Sequence, residues 1–90
     1  MDTELLLTNL KLDLGISSER YDERLAERIV EAQTDLTAQG IVLEDNASDR
    51  DLVIMYAAWL WRDRADGKPM SPMLRMKRNN RLFGQKAAVT

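Results

Sequence analysis

The chain has 90 residues, of which 44% are hydrophobic and 31% are charged, and its formal net charge is −2. A chain of this length predicts one domain that buries about 60–65% of its unfolded surface, so we expect its stability as a monomer to be modest. It contains no cysteine and no histidine, which excludes disulfides, thiolate metal sites and the usual general base near neutral pH. Because no catalytic motif is present either, we expect no enzymatic activity, no cofactor and no bound metal.

The charges are distributed unevenly along the chain. Residues 1–51 hold thirteen acids and five bases, a net charge of −8, whereas residues 52–90 hold eight bases and two acids, a net charge of +6. Such a chain can attract copies of itself head to tail, or turn a basic surface toward an acidic partner. The acidic N-terminus is unlike a secretory signal, and the longest apolar run, residues 52–61, is about half of a membrane span. We therefore expect an intracellular protein with no membrane segment.

The hydrophobic spacing predicts an all-α fold: a small domain of four helices with a long charged second helix and a buried apolar third helix. The first helix covers residues 3–11 and stops before Gly15, and the second covers residues 18–39, with Ser17 as N-cap and Gly40 in the C-cap position. On the exposed side of the second helix, acids form an i, i+4 row with arginines beside it. The acids are Glu19, Glu23, Glu27, Glu31 and Asp35, and the arginines are Arg20, Arg24 and Arg28.

The third helix is predicted from Ser48, its N-cap, to about Arg64. Since a helix that is apolar on all sides must be buried on all sides, this is either the central helix or a helix that another protein partly covers. Trp59 is predicted to lie in the core. For Trp61 the core and an interface are equally good interpretations, because tryptophan often anchors protein contacts.

The fourth helix is predicted from Ser71, its N-cap, to about Phe83, before Gly84. At 100° per residue one face holds Met73, Met76, Asn80 and Phe83, and the other holds Arg75, Lys77, Arg78 and Arg81. This basic face has three interpretations: a solvated surface, a contact with an acidic protein surface such as the acidic row of another copy, or a contact with nucleic-acid phosphates. The helical domain is expected to span residues 1–84, and residues 85–90 are expected to form a flexible C-terminal tail.

Three segments carry a resemblance to a known family. They are Leu10-Lys11-Leu12-Asp13-Leu14-Gly15-Ile16, residues 51–62 with the sequence DLVIMYAAWLWR, and Met73-Leu74-Arg75 followed by Asn79-Asn80-Arg81-Leu82-Phe83. Together they resemble the small head–tail connector (adaptor, or head-completion) proteins of tailed bacteriophages and prophages. The resemblance implies a structural subunit of the virion neck that assembles in the host cytoplasm. It also implies a ring beneath the portal protein that extends the DNA channel and docks a stopper or tail-completion protein.

Assembly requires surfaces for neighbouring copies and for the portal. We expect these contacts at Glu23, Glu27, Glu31, Trp61, Met73, Arg75, Lys77, Arg78, Arg81 and Phe83. The charges would set orientation, while the apolar side chains near Trp61, Met73 and Phe83 would supply most of the binding. Contact with DNA passing through the channel is expected to be non-specific at most.

Two other functions are compatible with the sequence. One is a small nucleic-acid-binding regulator that uses the third and fourth helices as a helix-turn-helix pair. The Met-Ser-Pro turn is poorly suited to that motif, and the reading helix would offer Asn79 and Asn80 but little else that recognises bases. The other is a stand-alone helical module that binds one host protein.

Overall fold

The structure is a computed structural model that describes the backbone of residues 1–89 and the side chains of residues 1–85. It has four α-helices: α1 (Thr3–Leu14), α2 (Asp22–Ala38), α3 (Ala47–Arg62) and α4 (Pro72–Val89), with a 3-10 turn at Arg64–Asp66. Residues 1–89 contain no strand. The predicted all-α fold of four helices is therefore confirmed. No helix in this part of the chain is long and apolar enough to cross a bilayer.

Helix α1 begins and ends at strong local signals. The Asp2 carboxylate accepts a hydrogen bond from the N–H of Glu4 at 3.0 Å, which satisfies a free donor of the first turn. Gly15 has a φ of 72°, and its N–H donates to the carbonyl of Leu12. A left-handed residue at this position suits glycine best because it has no Cβ. The helix runs to Leu14, so the predicted end at residue 11 was about one turn short.

Helix α2 begins later than the sequence predicts. Its first helical residue is Asp22, and Tyr21 precedes it without a side-chain cap. The prediction of Ser17 as N-cap is wrong, because the hydroxyl of Ser18 accepts the N–H of Arg20 at 3.0 Å in a local turn, and such turns compete with helix formation. Glu19 consequently lies outside the helix. Gly40, predicted as the C-cap, has a left-handed backbone with a φ of 99°, but it lies one residue beyond the C-cap Gln39.

Helix α3 is the central element, because it packs against α1, α2 and α4. Its N-cap is Asn46, whose side chain accepts the N–H of Asp49 at 2.8 Å, and not Ser48 as predicted. The helix ends at Arg62, two residues before the predicted end. The core combines buried apolar residues of all four helices with Ile41 of the loop between α2 and α3, and α3 contributes the most. These are Leu6, Leu10, Leu25, Ile29, Ala32, Leu36, Ile41, Leu52, Val53, Ile54, Tyr56, Ala57, Ala58, Leu60 and Leu74.

Helix α4 is longer than the sequence predicts. The hydroxyl of Ser71 accepts the N–H of Leu74 at 3.2 Å, so the predicted N-cap is confirmed. The predicted end at Phe83 is wrong, because the helix continues through Gly84 to Val89. Residues 85–89, which we expected in a C-terminal tail, therefore extend the helix, and Thr90 lies outside the described residues.

Candidate interaction surface

Helix α4 turns a largely polar side toward the domain and an apolar side toward solvent. Met73, Met76 and Phe83 are 71%, 62% and 63% exposed, whereas Leu74 is buried and Leu82 is half-buried. This arrangement is the reverse of an ordinary amphipathic surface helix, whose apolar stripe faces the core. We call the exposed row Met73, Met76, Asn80 and Phe83 the α4 seam.

An ion pair between Arg81 and Asp49 sets this orientation. Asp49 is 1% exposed, and its two carboxylate oxygens accept Nε and Nη2 of Arg81 at 2.8 Å and 3.1 Å. The N–H of Glu44 donates to the same carboxylate at 2.8 Å. Burial alone raises the pKa of Asp49, but these hydrogen bonds and the charges of Arg81 and Lys77 bring it below its usual value. Asp49 therefore stays ionised as the buried anchor of α4.

The end of α4 also holds the loop between α2 and α3. The Gln85 side chain donates to the carbonyl of Gly40 at 2.8 Å and accepts the N–H of Val42 at 2.7 Å. Arg81 donates to the Val42 carbonyl at 2.7 Å and to the Gln85 oxygen at 3.1 Å. These hydrogen bonds to the loop backbone connect the second half of α4 to residues 40–42.

The predicted basic face of α4 does not act as one exposed surface. Two more of its residues contact side chains of the same chain, as Arg81 does. Lys77 lies 3.3 Å from the carboxylate of Asp51. The half-buried guanidinium of Arg78 donates to the side-chain oxygen of Asn79 at 3.2 Å. Only Arg75, among the four basic residues of this face, is exposed. Arg81, which we expected at a subunit interface, has its charge paired with Asp49 inside the domain, and its place in an interface stays a prediction.

The predicted acidic row of α2 contains both half-buried acids that contact the domain and exposed acids. Glu31 is half-buried and accepts Nη2 of Arg64 at 3.1 Å, with Arg28 Nε at 4.0 Å. Glu23 and Glu27 are exposed, and Glu27 lies 3.7 Å from Arg28. The exposed acids of the row within α2 therefore lie in its N-terminal half, where arginines accompany them.

The last acid of that row, Asp35, takes part in a buried network. The hydroxyl of Tyr56 donates to Asp35 at 3.3 Å and accepts from the amide of Gln39 at 3.3 Å. Burial and the negative charge of Asp35 raise the pKa of the Tyr56 hydroxyl, although the Gln39 hydrogen bond acts in the opposite direction. Asp35 is thus a structural partner within the domain.

Both tryptophans are half-buried and pack against the core. Trp59 donates its indole N–H to the carbonyl of Lys68 at 3.0 Å and contacts Tyr56 edge to face at 5.5 Å. Trp61 contacts Tyr21 edge to face, with centroids 5.7 Å apart. Trp61 lies on the side of the domain where Glu27 is exposed, since both line the same shallow pocket.

A groove runs between the first turns of α3 and helix α4. One section, of about 440 Å³, is lined by Ser48, Leu52, Met73, Met76 and Asn80, with the Asp49–Arg81 pair and Lys77 completing the wall. The α4 seam forms one rim of this groove. Its apolar floor and exposed methionines form a surface that can accept side chains of another protein, since concave apolar surfaces with few polar groups are typical binding sites.

Among the described side chains no cluster of three acids could hold a metal ion. Comparison with known families, with curated proteins and with solved structures finds no match to this chain. The assignment of a function therefore depends on the surface described above.

Proposed function

We propose that this chain is a head–tail connector subunit of a tailed bacteriophage or prophage. In this proposal it assembles as a ring beneath the portal protein, extends the DNA channel and docks a stopper or tail-completion protein. The virion neck is its final location, and assembly takes place in the host cytoplasm. The observation that carries the proposal is the α4 seam, an apolar surface that the domain directs outward.

The α4 seam supports a role in assembly because its exposure has no use within the domain. Exposed apolar groups that lie together on a small protein mark contacts with other proteins. The buried Asp49–Arg81 pair and the Gln85 contacts fix α4, so the surface is presented in one orientation. A preorganised surface binds better, because less conformational freedom is lost on association.

The charged residues that are exposed among those predicted for the interface support a directional contact. Glu23 and Glu27 are on α2, and Arg75 is on α4. A contact between different surfaces of two identical subunits closes into a ring when the rotation allows it. Charges at the edge of such a contact steer association and select the register. The apolar side chains Met73, Met76 and Phe83 supply the affinity.

The same geometry favours a protein partner over nucleic acid. The exposed side of α4 carries two methionines and a phenylalanine, whereas base recognition requires polar side chains that reach into a groove. Lys77 and Arg81 contact acids of the same chain, which leaves fewer cations for phosphates. DNA in the channel would therefore meet this subunit through weak, sequence-independent contacts.

Electron microscopy tests the proposal directly. The purified protein is mixed with the portal protein encoded in the same genome, and we expect a ring of extra density below the portal. Met76→Glu should abolish this density because it places a charge in the α4 seam, while Glu4→Lys on exposed α1 is the matched surface control. A folded wild-type protein that leaves the portal bare would overturn the proposal. Tight binding to one defined duplex at physiological salt would instead favour the regulator.

A further inference from the structure

The four residues of the α4 seam have the spacing of a coiled-coil contact. Met73, Met76, Asn80 and Phe83 follow one another at intervals of three, four and three residues. This is the pattern of alternating a and d positions in a heptad, in which Met73 and Asn80 are a positions and Met76 and Phe83 are d positions. All four are exposed, so the row is accessible to a second helix.

We propose that two copies of this chain associate through their α4 seams as a parallel pair of helices, with the two Asn80 side chains facing each other. The partner is thus a second copy of the same helix. The inference goes beyond the proposed function and does not depend on it, because it concerns the protein before it meets any other component.

The charges of α4 permit this pairing. None of the four seam residues is charged, although 31% of the chain is. Lys77, which borders the seam, lies 3.3 Å from the carboxylate of Asp51, and Asn79 borders the opposite edge. Two copies can therefore approach along the seam without like charges meeting across it, whereas like charges at these flanking positions would disfavour a homodimer.

Asn80 selects the parallel orientation. In a parallel pair each a position faces the same position of the other helix, so one Asn80 amide can donate to the other and accept from it. In the antiparallel arrangement an a position faces a d position, and Asn80 would lie against a methionine with its amide unpaired. A polar group that loses water without gaining a partner is costly. A single central asparagine therefore specifies both orientation and register.

The rest of the domain leaves room for the second helix. Lys77, at the edge of the seam, reaches Asp51. The other residues of α4 that contact the domain lie on the side of the helix away from the seam: Leu74, Arg78, Arg81, Leu82 and Gln85. A second helix at the usual axis separation of about 8–10 Å can pack on the free side. The groove of about 440 Å³ beside Met73 and Met76 provides space for methionine side chains of the second copy.

The size of the α4 seam predicts that the pair is weak. A stable protein interface buries about 1,600 Å² in total, and four side chains per subunit provide far less. The eleven residues from Met73 to Phe83 are also short for a coiled coil, and asparagine at an a position lowers stability further. We therefore expect a reversible dimer that forms in concentrated solution. Such a contact can give way when a stronger partner binds α4.

Cysteine cross-linking tests the orientation. The described chain contains no cysteine, so each single substitution reports on one position. Met76→Cys at a d position should form a disulfide-linked dimer quickly under mild oxidation, because the two positions face each other in a parallel pair and come within disulfide reach. Arg75→Cys, on the same helix but outside the seam, is the matched control and should cross-link at least about tenfold more slowly. Equal rates for the two variants would overturn the proposal.

Sedimentation analysis provides the second test, with variants at exposed positions that the fold does not use. Asn80→Leu should strengthen dimerisation by about tenfold or more, since it replaces the polar layer with an apolar one. Met76→Glu should remain monomeric and keep its far-ultraviolet spectrum. If wild type and both variants sediment as monomers up to on the order of 1 mM, the seam does not pair in solution.

Discussion

The side chain of Arg81 on α4 donates two hydrogen bonds to the carboxylate of Asp49 on α3, although the residues are 32 positions apart in the sequence. Asp49 is 1% exposed, so this is a buried ion pair. Because the arginine reaches inward, the opposite side of α4 must face solvent, and that side carries Met73, Met76 and Phe83. The contact that fixes the last helix therefore also decides which surface is available to other proteins.

Removal of Arg81 should be strongly destabilising. Arg81→Ala leaves the Asp49 carboxylate buried without its partner, and breaking a buried pair in this way costs about 3–5 kcal/mol. Arg75→Ala is the matched control on the same helix, because Arg75 is exposed, and it should change stability by no more than about 0.5 kcal/mol. Urea unfolding followed by circular dichroism measures both. Similar midpoints for the two variants would contradict the role given to Arg81.

The same ion pair predicts a pH dependence. The pKa of Asp49 is lowered in the folded protein: burial raises it, but the Arg81 hydrogen bond, the Glu44 backbone and nearby positive charge act more strongly. Its ionisation therefore contributes stability that is fully present above about pH 4 and is lost as the pH falls through the folded-state pKa. Thermal melts below pH 4 should show this loss, and Asp49→Asn should show a shallower one. Parallel profiles would assign the acid sensitivity to other carboxylates.

The ionisation of Tyr56 makes stability fall as the pH rises, which is the opposite direction to that of Asp49. Burial and the charge of Asp35 raise the pKa of its hydroxyl, so the folded state favours the protonated form. The corresponding stability is present below about pH 10 and is lost as the pH rises through the folded-state pKa. We expect Tyr56→Phe to reduce the decrease in melting temperature above pH 10. An equal decrease in Tyr56→Phe and wild type would contradict this assignment.

Truncation of a leucine in the central helix should destabilise the protein far more than the same truncation at the surface. Leu60 is 4% exposed and packs in the core, whereas Leu12 on α1 is 76% exposed. Leu60→Ala should cost about 2–5 kcal/mol because it removes buried methyl groups and leaves a cavity. Leu12→Ala makes the same chemical change at the surface and should have an effect of no more than about 0.5 kcal/mol. Thermal denaturation distinguishes them, and a Leu60→Ala melt within a few degrees of wild type would show that the site is not tightly packed.

Local signals explain those helix ends that were predictable from the sequence. Gly15 and Gly40 take left-handed backbone angles, and Ser71 caps α4 through its hydroxyl. These effects involve residues within one turn of each other. The apolar residues of α3 likewise predict a buried helix, since no other location in a small domain suits them. The N-terminus of α2 was not predictable in this way, because two adjacent serines offer competing turns.

The orientation of α4 could not be read from its own sequence. Its apolar and basic faces are both clear from the spacing. Which of the two faces packs against the domain depends on Asp49, which resembles an ordinary acid in the first turn of α3. A long-range contact that satisfies Arg81 outweighs the tendency of Met73, Met76 and Phe83 to be buried. The sequence gives no sign of the role of Gln85, which holds the loop at Gly40, because Gly84 predicts a helix end just before it.

The two glycines Gly84 and Gly15 give predictions of opposite sign. Gly84 lies inside α4, its φ is not positive, and a Cβ added there meets none of the described atoms within 4 Å. Gly84→Ala should therefore stabilise the protein by about 0.5–1 kcal/mol, since alanine loses less conformational freedom in a helix. Gly15 has a φ of 72°, so Gly15→Ala should destabilise by about 1–2 kcal/mol, although space is available. Melting temperatures measured side by side should move in opposite directions, and a loss of stability in Gly84→Ala would mean that α4 does not continue through residue 84.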